Sequence, residues 1–433
     1  MRTSALIASS ALLIALSGSS TALSGSQTVP TDATTHPLLG VLRPLPVRGS
    51  TLARLDVKTL KPLAGRRVAL GRNTGAWSFS PDRSKLAIGV DRALGLRIVD
   101  VRVMRRTADV ETKNGDVLAV AWLTPRRIVG LERTGLFVVD PVRHRLVASK
   151  PVTGTFAGWA RTPSRLLVLL GPPPTGIPVG PVTEGGAALG PTRLLAIDAQ
   201  AHVRSVRLDS IRSGGAFDSG APLEAWVPGL AVDTQGQRAF VVGGGGPIAE
   251  IDLQTLKVTY HELREPRSFL GRALDWFVPA AAAKGPIAGR QREAAWLGDG
   301  TLAIAGVDVS VAVRRDGIDV SNEPFGLKLV DTRTWTARTL EPRATAFAHE
   351  AGVLLAYAGS YDEGYRPSGG LGLAGYTIGG AKLFHAFGES AIFWAEIVGS
   401  NAYLAPEGKI VRVDVRSGRV MQAIAGPLPQ LVR

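Results

Sequence analysis

The chain has 433 residues, a formal net charge of +14, 45% hydrophobic residues, 51 glycines and no cysteine. The missing cysteine excludes disulfides, thiolate metal sites and thiol nucleophiles. Many glycines without a collagen period point to a turn-rich all-β chain, and the positive charge is scattered arginine with no basic helix, which argues against a nucleic-acid partner.

Residues 1–24 read as a signal peptide. Arg2 supplies the positive start, Ala5 to Leu16 the apolar stretch, and Ala22-Leu23-Ser24 a small-residue cleavage pattern. The apolar stretch is shorter than the ~20 residues of a membrane span, so the mature chain is expected to be exported without a transmembrane segment. Residues 25–36 read as a flexible Ser/Thr/Pro linker, and 37–433 as one folded domain.

From there one unit recurs. An apolar run closes near Asp56, Asp100, Asp140, Asp198, Asp252, Asp331 and Asp414, with a variant closing at Thr377. The mean period is about 50 residues, the size of a four-stranded propeller blade. The Asp suits a turn opener, because its side chain accepts from backbone N–H groups just ahead of it. An aromatic precedes the first turn of most units: Phe79, Trp122, Trp159, Trp296, Phe347 and Trp394, with Val232 in the slot once. These are read as packing wedges between blades.

The text from Phe79 to Ile88 resembles bacterial WD-repeat-like propellers. Val232 to Val242, Gly243 to Gly246 and Ile251 to Val258 are similar to secreted propellers of the YVTN type. This resemblance implies a fold and no activity. The expected architecture is an all-β propeller of four-stranded antiparallel blades, with complete blades near 75–110, 116–150, 154–208, 228–263, 291–340, 344–387 and 390–425. Strands in 38–69 and after Pro427 are expected to share one further blade and close the ring, giving eight blades, with seven as the alternative.

The long insertions 171–191, 209–222, 264–290, 307–326 and 359–372 all fall between second and third strands or between blades. Antiparallel alternation places both kinds of loop on the same face. That face is therefore the candidate binding face. Its candidate residues are Arg267, Arg272, Trp276 and Phe277 in one loop and Tyr361, Asp362, Glu363, Tyr365 and Arg366 in another, while 307–326 reads as a hairpin turning at Arg315-Asp316-Gly317.

Catalytic signatures are absent. The six histidines lie outside the long loops and away from metal-ligand spacing, and read as surface residues. Gly243 to Gly246 is a turn, since no helix or lysine follows it to form a phosphate cradle. No cofactor, metal or catalytic residue is assigned. The leading expectation is a secreted, monomeric, non-enzymatic binding or scaffold module for a protein, peptide or anionic envelope polymer. The alternative is a metal-dependent propeller hydrolase or lactonase that gathers Asp308, Asn322, Asp362 and Glu363 at the channel mouth.

Overall fold

A computed structural model of the chain describes residues 38–42, 49–71, 73–90, 95–113, 116–173, 189–218, 221–264, 287–313, 318–361, 367–406, 409–425 and 429–432. The proposed signal peptide and linker lie outside these residues.

The blade at 117–151 shows why the repeat folds as it does. Its strands are Val117–Thr124, Arg127–Glu132, Gly135–Asp140 and Arg145–Pro151, each antiparallel to the next. Successive side chains point to opposite faces of the sheet. Val120, Trp122, Ile128, Phe137 and Val139 therefore pack against the preceding blade, and Ala121, Val129, Leu131 and Val138 against the following one. Both faces are covered, so the strands read as continuous apolar runs. Only the outermost strand, Arg145–Pro151, carries exposed positions.

First strands of successive blades contact one another and line the middle of the ring. Five of the six aromatic positions behave as expected: Phe79, Trp122, Trp159, Trp296 and Phe347 are buried in clusters with the preceding blade, while Trp394 precedes its strand and is only partly buried, against the ring-closing sheet. Trp296 also stacks on Phe240 at 5.2 Å.

The propeller of four-stranded antiparallel blades is observed, and the blade count needs correction. Six four-stranded sheets stand apart, where the repeats predict eight or seven blades. The rest of the described strands form one ten-stranded sheet. It runs from Thr155–Arg161 through Arg165–Gly171, Gly190–Asp198, Val203–Asp218 and Ala221–Val227 to Ile287–Gly298, Thr301–Val313, Leu327–Asp331 and Thr336–Glu341. The cause is strand overrun. Val203–Asp218 and Ile287–Gly298 continue beyond their own four-stranded packing and are joined through Ala221–Val227.

The chain ends meet in one sheet. Gln430–Val432 pairs with Leu38–Leu42, which pairs with Ser50–Leu55, then Val68–Gly71. Leu39, Val41 and Val432 pack against Trp77 and Leu86 on one side. Leu38, Leu55 and Leu431 pack against Tyr403 and Ile410 on the other.

Turns between third and fourth strands follow one design. The closing Asp accepts from backbone N–H groups two and three residues on, as Asp252 does from Gln254 at 2.9 Å and Thr255 at 2.6 Å. Asp56, Asp140 and Asp414 repeat the pattern, and Thr377 substitutes by accepting from Ala381 N–H at 3.1 Å. A left-handed residue then ends each of these turns: Leu60, His144, Leu256 and Gly418 after the aspartates, Gly380 after Thr377.

Candidate binding face

The inserted segments become extensions of the blade strands. The far half of Val203–Asp218 pairs with Ala221–Val227, with Gly214 opposite Trp226. Ala221–Val227 then lies parallel to the start of Ile287–Gly298, with Trp226 opposite Arg290. Arg290 stands opposite Asp308 on Thr301–Val313, and Val309 opposite Asn322 on Ile318–Pro324. The hairpin expected within 307–326 is thus present, and its turn at 314–317 lies outside the described residues. These five stretches form a bridging sheet on the long-loop face.

The bridge crosses above the blade built from Gly229–Val232, Arg238–Val242, Ile248–Asp252 and Val258–His261. The glycine run of that blade is its point of contact. Gly244 carbonyl accepts from Arg290 Nη1 at 3.1 Å and from Arg292 Nη2 at 2.8 Å. A Cβ at Gly244 would meet Arg290 Cβ at 2.5 Å, and one at Gly243 would meet Ile211 at 3.2 Å. The run is a turn, as its sequence indicates. Gly244 in particular is needed because a strand passes directly over it.

Arg292 anchors the bridge and is buried. Its guanidinium pairs with Asp308 Oδ1 at 2.8 Å, donates to Gln291 carbonyl at 2.9 Å and lies 4.1 Å from the Phe325 ring centre. Burial pulls it below its ordinary value, and Asp308 opposes that shift. Beside it, Arg290 lies 4.9 Å and Arg212 5.9 Å from the Trp226 ring centre.

The residues chosen from sequence fall largely elsewhere. Arg267, Arg272, Trp276, Phe277, Asp362, Glu363, Tyr365 and Arg366 lie outside the described residues. Tyr361 ends the strand Val353–Tyr361 and pairs with Pro367 at the start of the next strand. Arg212, Trp226, Arg290 and Arg292 were not singled out. They sit in or beside segments rich in Gly, Ser and Pro. Of the proposed metal ligands, Asp308 is engaged by Arg292. Among the described residues no three His, Asp or Glu side chains are grouped to hold a metal.

Around the ring, side chains accept from the first strand of the following blade or from the turn that ends it. Ser78 Oγ accepts from Trp122 N–H at 2.9 Å, and Glu350 Oε1 from Gly399 N–H at 3.4 Å. The Glu293 carboxyl accepts from Phe347 N–H, yet burial still pushes it up to about 7. His349, on the first strand Ala346–Glu350, is pushed down to about 4 by burial. It therefore departs from the surface reading of the histidines. Glu293 and His349 keep partial surface exposure on strands near the middle of the ring.

No protein-family model matches the chain, and no curated protein matches it in sequence. Solved structures do. A dihydro-heme d1 dehydrogenase, NirN, matches with a TM-score of 0.54 at 13% identity, over 94% of this chain and 78% of that one. BamB from Moraxella catarrhalis matches at 0.38 and 11%, over 89% and 87%. The β-propeller domain of Swd1 from Myceliophteria thermophila matches at 0.41 and 12%, over 83% and 100%. At such identities the shared feature is the fold.

Proposed function

We propose that the protein is a binding or scaffold module that takes up a protein, peptide or envelope polymer on its long-loop face. The observation that carries this reading is the asymmetry of the two faces. One face has tight turns such as Ser80–Lys85 and Asp252–Lys257, closed by short backbone hydrogen bonds. The other carries the bridging sheet and the hairpin of Val353–Tyr361 with Pro367–Thr377. Propellers built as neutral frames gain nothing from such extensions, and binding sites concentrate on loops held by a rigid scaffold. The signal-like residues 1–24 support a place of action outside the cytoplasm. Among the described residues no helix is long and apolar enough to cross a membrane. The hydrolase reading is weakened because Asp308 is already paired with Arg292.

The test is to replace 311–320 with Asn-Gly, which closes the hairpin just beyond the Ser310–Ser321 pair with a favoured two-residue turn. Pull-down from the source envelope fraction should then lose specific partners that the intact protein retains. An identical partner list from a normally folded variant would sink the assignment of function to this face. Fusing residues 1–36 to a reporter active only outside the cytoplasm checks the export reading, and an inactive reporter would refute it.

A further inference from the structure

Among the described side chains, the Trp226 cluster holds more positive charge than is matched in ion pairs. Arg292 is matched by Asp308, and nearby Asp209 by Arg207 at 2.7 Å. Arg290 and Arg212 have no such match: among the described side chains neither is in an ion pair. Arg290 is held in place by Gly244 carbonyl and the Trp226 ring, so its fork is preorganised. Arg212 is exposed and reaches the same ring from the neighbouring strand. Two guanidiniums gathered on one indole form an array suited to bidentate binding of carboxylates.

We propose that Arg212, Trp226 and Arg290 form the anchor for an acidic segment of a protein partner. This rests on the reading of the long-loop face as the binding face and names the chemistry it selects. Tryptophan and arginine are the residue types that dominate protein–protein hot spots. The guanidinium of Arg290 covers the Trp226 ring, which disfavours that ring as a stacking platform for a sugar. Arg212 is exposed and Arg290 partly so, and a flexible peptide can bring two carboxylates to them.

The test is fluorescence anisotropy with a labelled hexaglutamate peptide, with hexaglutamine, polygalacturonate and inorganic phosphate as competitors. Hexaglutamate should bind, and binding should weaken as salt is raised. Hexaglutamine and phosphate should compete poorly. Arg212→Ala should weaken binding about tenfold or more, in the range of a hot-spot truncation. Arg290→Lys, which keeps the charge and loses the fork, should weaken it less. Arg204→Ala, on the same strand but directed to the Gln254 carbonyl, should leave binding unchanged.

Equal binding by wild type and Arg212→Ala would overturn the proposal, as would no binding of hexaglutamate. Competition by polygalacturonate as strong as that by hexaglutamate itself would overturn the peptide assignment in favour of an acidic glycan. Failure here is separable from failure of the face. Loss of partners on trimming 311–320, without hexaglutamate binding, removes only this anchor. Hexaglutamate binding through Arg212, with partners retained after trimming, keeps the carboxylate chemistry of this cluster and sinks the wider assignment of function to the face.

Discussion

Arg54, Lys150, Arg204 and Arg338 share one task. Each donates to a backbone carbonyl in a third-to-fourth-strand turn of the next blade: Val101 at 3.0 Å, Ala201 at 2.7 Å, Gln254 at 2.5 Å and Gly379 at 2.6 Å. Tyr403 does the same toward Val57 across the ring closure. Part of the scattered basic charge is therefore inter-blade stitching in a chain without disulfides. Replacing Arg204 or Arg338 with Ala should each cost about 0.5–1 kcal/mol by urea denaturation. At Arg292 the effect should be larger. Arg292→Ala removes the buried guanidinium that pairs with Asp308 and shares the Gly244 carbonyl with Arg290, and, with Asp308 more than a third exposed, should cost about 1.5–3 kcal/mol, the range for a hydrogen bond to a charged group.

Glu293 and His349 yield a pH prediction. The Glu293 carboxyl sits at about 7 in the fold against an ordinary 4.5. Between those values the folded chain holds a proton that the unfolded chain has lost. Its stabilising contribution is complete below the lower value and lost as pH rises to the upper one. His349 sits at about 4 against an ordinary 6.5. Its contribution is complete above the upper value and lost as pH falls to the lower one. The two slopes oppose each other in the overlapping window. Glu293→Gln should leave a melting temperature that rises from pH 4 to 6.5, the His349 window. His349→Asn should leave one that falls from pH 4.5 to 7, the Glu293 window. Calorimetric melts of the two variants check both signs, and parallel profiles would refute the assignment.

At the scale of elements, the repeat was legible because its signals are local. The Asp turn, the preceding aromatic and the alternation of apolar residues each act within one blade. The bridging sheet was not legible, because Gly214 to Trp226 becomes strand only by pairing with residues near Arg290. A stretch rich in Gly, Ala and Ser with a Pro reads locally as loop. The same non-local pairing fuses two sheets and leaves six standing apart, in place of the eight or seven blades expected. Nor did local text reveal the glycine requirement beneath the bridge. Gly244→Ala drives a methyl into Arg290 Cβ and should cost about 1–3 kcal/mol. Gly246→Ala meets only the Ser210 carbonyl at 3.6 Å and should be close to neutral in the same urea titration.

For the whole molecule, the closing sheet joins residues from opposite ends of the chain. Deleting 429–433 removes buried Leu431 and Val432 and leaves Leu38–Leu42 paired on one edge only. Burial of those two side chains alone is worth about 3 kcal/mol or more, so the truncated protein should melt clearly lower. An unchanged melt would mean that the strand is dispensable to the ring. The closed frame then leaves two faces of different character. The central claim is that the face carrying the bridging sheet meets the partner. Site-specific photo-crosslinking in source extract tests it most directly, with the crosslinker placed singly at exposed Ser210 and Glu323 on the bridged face, and at exposed Gln254 and Arg416 on the tight-turn face. The account predicts discrete adducts from Ser210 and Glu323 and none from the other two positions. Adducts from Gln254 and Arg416, with Ser210 and Glu323 silent, would contradict it.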